Sequence, residues 1–202
     1  MKLFYSPGAC SLAVHIILRE TGLPFTLERV DLSTHKTAAG NDYYRNNPKG
    51  YVPLLELVDG GHLTEVPVIS QYLCDKAGRV DLMPAAGSMA RYHVMEWQNF
   101  ITSELHKGFG ALFNPVLDAA AKAVFSASLQ KRLQWVSTQL HGKQYLTGAA
   151  FTAADAYLFT VANWTRYVDL DIGDYPDLQS YQARIAARPT VQTALKAEGL
   201  LS

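Results

Sequence analysis

The stretch that decides the fold is Leu-Phe-Tyr-Ser-Pro-Gly-Ala-Cys-Ser at residues 3–11. A short apolar strand, Leu3–Tyr5, runs into a Pro-Gly turn, and a helix begins at Cys10. The thiol therefore faces the positive dipole end of a helix and its unpaired N–H groups, which is one of the few settings that favour a reactive thiolate. A small apolar residue tucked under a helix end is an equally good interpretation of Cys10 taken alone.

Residues 1–78 mix strands with helices. The helix from Cys10 is predicted to stop at Gly22, the residue that most often ends a helix. The further predicted elements are a strand at 25–30, a helical turn near 42–45 in a polar segment, strands at 54–58 and 62–64 around a tight turn, and a helix at 67–77. This βαβ unit followed by a hairpin and a helix predicts a thioredoxin-like domain.

After a linker at 79–87, residues 88–202 show helical periodicity throughout. Predicted helices cover 91–109, 119–141, 153–168, 177–187 and 191–200. The predicted fold class is therefore an α/β thioredoxin-like N-terminal domain followed by an all-α C-terminal domain. Thr152 and Asp155 are predicted to cap the helix that starts at 153.

Composition argues against several classes of protein. Eighteen basic residues balance 18 acidic ones among 202, which gives no indication of nucleic acid or of an anionic membrane as a partner. No apolar run approaches the roughly 20 residues that span a bilayer. Two cysteines, Cys10 and Cys74, fit a reducing cytoplasm, with Cys74 interpreted as packing. Neither they nor the scattered histidines have metal-site spacing, so no metal is expected.

The helix at 91–109 is predicted to have two faces. At 100° per residue its apolar arc holds Val94, Trp97, Ile101 and Leu105. Asn99, Ser103 and His106 fall on the opposite side. Glu104 lies on the apolar arc, which predicts a buried ion pair with a base that the pattern does not identify.

With these features placed, the chain resembles the soluble glutathione S-transferases, most closely the bacterial beta class. The resemblance runs from end to end. Its motifs are Pro-Gly-Ala-Cys-Ser at 7–11, Asn-Pro-Lys-Gly-Tyr-Val-Pro at 47–53, Leu-Thr-Glu at 63–65, Glu-Leu-His-Lys-Gly-Phe at 104–109 and Phe-Thr-Ala-Ala-Asp-Ala-Tyr-Leu-Phe-Thr at 151–160.

The resemblance implies a cytoplasmic, homodimeric detoxification enzyme that conjugates glutathione to small hydrophobic electrophiles. It implies that the Val52–Pro53 bond is cis and that the Val52 backbone pairs with the cysteinyl residue of glutathione. Glu65 and the Val66 N–H would hold the γ-glutamyl end. Cys10 would lie beside the sulfur, where other classes place a hydroxyl such as that of Tyr5 or Ser11.

Two positions depart from the family pattern. Val66 replaces the usual serine or glycine, and Pro67 donates no N–H. The Val66 backbone N–H can still serve, so glutathione binding is expected to survive in a weaker form. His35 stands where beta-class members have a lysine that faces the glycyl carboxylate, so that this contact falls to His35 or to Lys36.

The helical half is expected to supply the rest of the site. The resemblance places His106 and Lys107 near the glutathione sulfur, and Asn99 and Ser103 towards the glutathione of a neighbouring subunit. Candidate walls for the hydrophobic substrate are Phe109, Phe113, Trp164 and Tyr167.

Two rival functions remain open at this point. In the first, Cys10 is the covalent nucleophile of a thiol transferase or a peroxide-reducing enzyme. In the second, the chain is a non-catalytic glutathione-binding or scaffold protein, a change of role that the departures at His35 and Val66 would suit.

Overall fold

The computed structural model describes residues 1–201, which form two compact units. The first unit contains Met1–Val80 together with the C-terminal segment from Arg188, and the second contains Asp81–Ala187. The sequence interpretation assigned the C-terminal segment to the helical half. In the structure its helix packs on the first helix of the chain instead.

The first unit is built on a five-stranded mixed sheet in the order β3-β2-β1-β4-β5. The strands are β1 (Lys2–Tyr5), β2 (Thr26–Asp31), β3 (Lys36–Thr37), β4 (Leu54–Glu56) and β5 (His62–Thr64). Only β1 and β2 are parallel, and the other neighbouring strands are antiparallel. The predicted βαβ unit and hairpin are thereby confirmed, and the two-residue β3 is an addition.

Three helices belong to this unit: α1 (Ser11–Thr21), α2 (Val66–Lys76) and α8 (Pro189–Ala197). Every residue of α1 from Ser11 to Leu18 is buried. The helix ends at Gly22, whose φ of 69° is the left-handed conformation that glycine adopts without strain. A 3₁₀ turn at Tyr43–Arg45 confirms the short turn predicted near 42–45.

Buried polar contacts attach the C-terminal segment to α1. His15 Nδ1 lies 2.9 Å from Glu198 Oε1, and both side chains have no exposed surface. The other Glu198 oxygen accepts a hydrogen bond from the Gly8 N–H at 2.9 Å. At the far end of α1, Arg188 pairs with Glu20 at 2.7 Å. The loop before Cys10 is thus fixed in part by a residue near the end of the chain.

The second unit is helical, as predicted. Its α-helices are α3 (Met89–Phe100), α4 (Lys107–Phe113), α5 (Ala119–Leu140), α6 (Ala153–Ala162) and α7 (Pro176–Ala186). A 3₁₀ helix at Asn163–Tyr167 follows α6, where the sequence predicted one continuous α-helix. Among the described residues, no helix combines the length and apolarity needed to cross a bilayer.

The predicted helix at 91–109 is interrupted by a π-helix at Ile101–His106. Each π turn holds more residues than an α turn, so later side chains rotate relative to a regular helical wheel. His106 is consequently half-buried, although Asn99 and Ser103 are exposed as the wheel predicted. Glu104 pairs with a base as expected, since it accepts a hydrogen bond from Arg132 at 2.7 Å. The expected burial of this pair is wrong, because Glu104 is exposed.

The buried carboxylate of Asp155 organises the start of α6. It accepts hydrogen bonds from the Thr152 N–H and hydroxyl, from the Leu146 N–H and from the Tyr181 hydroxyl, at 2.7–2.9 Å. Burial raises the pKa of Asp155, while these hydrogen bonds lower it. The predicted Thr152–Asp155 cap is confirmed, and it extends into a network that joins three segments of the unit.

Candidate functional site

Cys10 lies at the N-terminal end of α1, where β1 turns into the helix. Its backbone C=O accepts the Ala13 N–H at 3.2 Å, which starts the helix. The half-buried Sγ donates a hydrogen bond to the Val52 carbonyl at 3.1 Å. The structure therefore joins the helix terminus to the Val52 loop through the thiol.

The Val52–Pro53 peptide bond is cis, as the family resemblance implied. The Val52 side chain packs in a buried cluster with Phe4, Tyr43 and Leu54. The preceding carbonyl, that of Tyr51, accepts hydrogen bonds from the Tyr43 hydroxyl and the Asn47 amide, both at 2.7 Å. Packing and hydrogen bonds thus fix the backbone of the loop that Cys10 contacts.

The pKa of Tyr43, which packs against this loop, is shifted by its surroundings. The pKa of Tyr43 is raised to about 12, chiefly by burial; a hydrogen bond with Asn47 lowers it, and a negative charge on the Cys10 thiolate would raise it. The Tyr43 hydroxyl is therefore protonated at neutral pH and donates to Tyr51.

The hydroxyls of Ser11 and Tyr5 differ in their surroundings. Ser11 is fully buried, and its hydroxyl exchanges hydrogen bonds with the backbone N–H and C=O of Ser6, both at 3.2 Å. Tyr5 is 8% exposed, and burial together with the Glu198 charge raises its pKa, although Arg29 lowers it. These contacts tie Ser11 to the architecture of the turn.

Glu65 stands just before α2, in a backbone conformation with φ 72° and ψ 119°. Positive φ is uncommon outside glycine and tends to occur at functional sites. The carboxylate is exposed and accepts a hydrogen bond from Lys49 Nζ at 2.8 Å. Val66, the first residue of α2, is buried with 3% of its surface exposed, and Pro67 follows it.

Lys49 was not among the sequence-predicted site residues. It lies in the loop before Val52 and reaches both Glu65 and the Thr64 hydroxyl, the latter at 2.9 Å. The position inside the Asn-Pro-Lys-Gly motif was visible in the sequence, but the contact with a residue 16 positions away was not.

His35 lies on the loop after β2 and Lys36 begins β3, and the two side chains differ in their surroundings. The His35 ring packs against Tyr44, with 4.5 Å between centroids. A Cβ at Gly50 would come within 3.1 Å of that ring, so glycine leaves room for it. Nδ1 of His35 is buried and has no hydrogen-bond partner among the described residues, whereas Lys36 is exposed on β3. The imidazole is therefore held by packing.

In the second unit, His106 is oriented by buried neighbours. Its Nδ1 shares a hydrogen bond of 2.7 Å with the hydroxyl of Tyr157, a residue that is 1% exposed. The ring also makes an edge contact with Trp164, with 4.9 Å between centroids. Tyr157 was not predicted as a site residue, although it lies in the quoted motif at 151–160.

The other polar candidates of this unit lie on the surface. Asn99, Ser103 and Lys107 are exposed, and the Ser103 hydroxyl donates to the Asn99 backbone carbonyl at 3.0 Å. The Asn99 side chain and the Lys107 ammonium group are thus presented to solvent by this unit.

The four predicted aromatic walls divide into two pairs. Phe109 is fully buried and Trp164 is 7% exposed, and their rings meet edge to face at 5.8 Å. Phe109 therefore packs in the buried core against Trp164, and its role as a wall of the substrate site stays a prediction. Phe113 and Tyr167 are 45% and 58% exposed and line a cleft of about 530 Å³.

The cleft has a mixed lining. Besides the two aromatic rings it is lined by Leu112, Lys122, Ala123, Ser126, Val168 and Asp169. The ring centroid of Trp164 lies 5.8 Å from that of Phe113 and 4.9 Å from that of His106. A row of rings therefore leads from the imidazole to the cleft. Within residues 1–201, no group of three or more His, Cys, Asp or Glu side chains is arranged to hold a metal ion.

Comparison with protein families gives two matches. Residues 8–76 match the model of the glutathione S-transferase N-terminal domain, and residues 104–198 match that of the C-terminal domain. The glutathione S-transferase GstA of Escherichia coli O157:H7 is 48% identical over 200 residues, which cover 99% of this chain and all of that protein.

Solved structures show the same similarity. BphK, a bacterial glutathione S-transferase solved as a ternary complex, is 52% identical with a TM-score of 0.96, over 99% of this chain and 100% of that one. A sphingomonad glutathione S-transferase complexed with glutathione is 46% identical with a TM-score of 0.95, over the same shares. The beta-class enzyme of Sphingomonas chungbukensis is 44% identical with a TM-score of 0.96, over the full length of both chains.

Proposed function

Because the chain belongs to the glutathione S-transferase family, we propose that it conjugates the glutathione thiolate to hydrophobic electrophiles, with Cys10 beside the reacting sulfur. The observation that carries this assignment is the 3.1 Å contact between Cys10 Sγ and the Val52 carbonyl. It brings together a helix N-terminus, which favours an anion, and a loop backbone fixed for pairing with a peptide.

Glutathione is the proposed co-substrate, bound by the first unit. Its γ-glutamyl ammonium would pair with Glu65 and its carboxylate would accept the Val66 N–H at the start of α2. The Val52 backbone would pair with the cysteinyl residue, and His35 or Lys36 would face the glycyl carboxylate. The sphingomonad relative, which is complexed with glutathione, supports this assignment.

In the proposed reaction the glutathione thiol first loses its proton to solvent. The thiolate then attacks the electrophilic carbon, a carbon–sulfur bond forms, and the leaving group departs with its bonding electrons. The helix terminus, a hydrogen bond from the imidazole of His106 and the positive charge of Lys107 would each stabilise the thiolate. Tyr157 fixes the ring orientation of His106 by its contact with Nδ1.

The electrophile would bind against the aromatic row of the second unit. Phe113 and Tyr167 offer exposed ring faces in the 530 Å³ cleft, and Trp164 links them to His106. Pockets of this size accept drug-sized molecules. Phe113→Ala should raise the KM for an aryl halide without changing that for glutathione, since Phe113 belongs to the electrophile side.

A second candidate function uses Cys10 as a nucleophile. The Cys10 thiolate would attack the glutathionyl sulfur of a mixed disulfide, forming a Cys10–glutathione disulfide and releasing the other thiol. A second glutathione thiolate would then attack this disulfide, releasing glutathione disulfide and restoring Cys10. The half-buried Sγ at the peptide-pairing loop favours this role.

Cys10→Ala separates the two functions. Conjugation predicts that the variant keeps much of its rate with an aryl halide, whereas the nucleophile role predicts complete loss of mixed-disulfide reduction. Cys74→Ala is the matched control, because Cys74 is a buried packing residue in α2. If Cys10→Ala loses both activities but still binds glutathione, the proposal that conjugation proceeds without a covalent role for Cys10 is wrong.

A non-catalytic binding or scaffold role is the remaining alternative. Incubation with glutathione disulfide, followed by intact mass measurement under non-reducing conditions, tests whether Cys10 is reactive at a glutathione site. One glutathionyl adduct on Cys10 and none on Cys74 is the expected result. No adduct, together with no retention on immobilised glutathione, would favour the scaffold role.

We further propose a homodimer that acts in detoxification in the cytoplasm. The exposed side chains of Asn99 and Ser103 are the candidates for contact with the glutathione of a neighbouring subunit. Light scattering after size exclusion should give twice the chain mass of 22.3 kDa. Asn99→Ala should then weaken glutathione binding without changing that mass.

A further inference from the structure

Lys49 places an ammonium group on the carboxylate that is proposed to receive the ammonium of glutathione. Its Nζ lies 2.8 Å from Glu65 Oε1 and 2.9 Å from the Thr64 hydroxyl. We propose that Lys49 competes with the γ-glutamyl ammonium for Glu65, so that glutathione binds by displacing a side chain of the protein. This inference rests on the glutathione site proposed above.

The competition follows from the chemical equivalence of the two groups. The lysine side chain and the α-amino group of glutathione both end in a primary ammonium that donates up to three hydrogen bonds and accepts none. The Glu65 carboxylate makes no side-chain capping bond to the start of α2. The contact with Lys49 therefore occupies a carboxylate oxygen that the helix terminus leaves available to an ammonium group.

The lysine can withdraw without moving the loop. Its backbone N–H is held by Asn47 Oδ1 at 3.2 Å, and the Gly50 N–H by the Asn47 carbonyl at 2.8 Å. The side chains of Lys49 and Glu65 are 47% and 61% exposed, so the pair is screened by water and weak. Rotation of the flexible lysine stem into solvent is enough to open the carboxylate.

Displacement makes two predictions about binding. Removal of the lysine charge should tighten glutathione binding, by roughly two- to fivefold given the weakness of exposed ion pairs. It should also make that binding more sensitive to salt. In the natural chain one ion pair replaces another, whereas without the lysine a new pair forms and screening acts on it.

The test measures dissociation constants by titration calorimetry for the natural chain and Lys49→Met, which keeps an unbranched apolar stem. The ligands are glutathione and N-glutaryl-cysteinylglycine, the same peptide without the α-amino group. Lys131→Met, at an exposed lysine of α5, controls for the change in net charge. Lys49→Gln serves as a second neutral variant.

The expected result is that both Lys49 variants bind glutathione two- to fivefold more tightly, while their affinity for the deamino peptide does not rise. Weaker or unchanged glutathione binding in both variants, with Lys131→Met unchanged, would overturn the competition. It would indicate that Lys49 supports Glu65 or holds the γ-glutamyl carboxylate. If the natural chain and every variant bind neither peptide, the proposed glutathione site itself is wrong.

Discussion

The candidate site residues of the two units differ in kind: the first unit relies on main-chain groups and the second on side chains. In the first unit the site depends on the main chain: a helix terminus at Cys10, a cis bond before Pro53 and a positive φ at Glu65. In the second it depends on side chains, with His106 held by the hydroxyl of Tyr157 and the ring of Trp164.

This difference bears on which substitutions each unit can accept. A site made of backbone groups survives a change of side chain as long as the loop keeps its packing, so a valine at position 66 can still offer its backbone N–H. A site made of buried side chains has no such freedom, because a lost hydroxyl leaves its partner unpaired. The following predictions test this contrast, from the largest expected effect to the smallest.

The largest effect is expected at Asp155, on which the buried structure of the second unit depends. Asp155→Ala should lower the free energy of unfolding by about 3–5 kcal/mol, because it removes four hydrogen bonds and leaves buried donors unpaired. Urea titration measures the loss. Asp118→Ala, at the exposed cap of α5, is the control and should cost about 1 kcal/mol. Equal losses in the two variants would contradict a central role for the buried network.

The next effect concerns catalysis through Tyr157. Tyr157→Phe should lower kcat/KM by about tenfold, equivalent to about 1.4 kcal/mol, because His106 loses the partner that orients its ring. The pH dependence of kcat/KM should change as well, a readout that a purely structural role would not move. Tyr181→Phe, which removes a buried hydroxyl from Asp155, should lower stability without this change in pH dependence. If the pH profile of Tyr157→Phe matches that of the natural chain, Tyr157 has no role in positioning His106.

The sequence predicted features of each unit whose cause is local. Gly22 ends α1, and the Thr152–Asp155 pair caps α6, because both patterns act within one helical turn. It did not predict the π-helix at Ile101–His106, since hydrophobic periodicity sampled at 100° per residue carries no mark of an inserted residue. The orientation of His106 was therefore missed together with its partner Tyr157.

Contacts between distant segments were also beyond the sequence. The amphipathic pattern of α8 predicted a helix but not the surface it covers, which is fixed by the buried pair of Glu198 with His15. Lys49 reaches Glu65 only because the loop before Val52 folds back beside β5. The local pattern predicted the helix terminus at Cys10, and the resemblance implied the cis bond before Pro53. The positive φ at Glu65 and its contact with Lys49 required the structure.

Val52 tests the claim that the first unit works through its backbone. Val52→Ala should leave the KM for glutathione within about twofold, because the proposed contacts are main-chain groups. It should still lower the free energy of unfolding by about 1–2 kcal/mol, since the side chain is 7% exposed and packs with Phe4 and Leu54. Steady-state kinetics and urea titration of the same samples give both numbers. A large rise in KM without loss of stability would show that the side chain itself contacts the substrate.

The smallest effect is expected in the loop that carries His35. The Asp31 carboxylate accepts hydrogen bonds from the Ser33 N–H and hydroxyl and from the Thr34 N–H, at 2.7–3.4 Å. These bonds, led by that of the Ser33 side chain, lower the pKa of Asp31 from 3.8 to about 2. The folded loop therefore favours the charged form of Asp31. The stabilisation of the loop by this carboxylate is complete above pH 3.8 and is lost as the pH falls towards 2.

Ser33→Ala tests this pH dependence directly. It removes the hydroxyl that contributes most, so the pKa of Asp31 should rise towards 3.8, and the loop should loosen at a higher pH than in the natural chain. An NMR titration of the Asp31 carboxyl carbon, with exchange rates of the Ser33 and Thr34 amides, measures both. Because the loop is exposed, global stability at neutral pH should not change, and the KM for glutathione should rise by less than about twofold. A larger rise would mean that this loop contributes to glutathione binding through the placement of His35, and that side-chain contacts matter in the first unit as well.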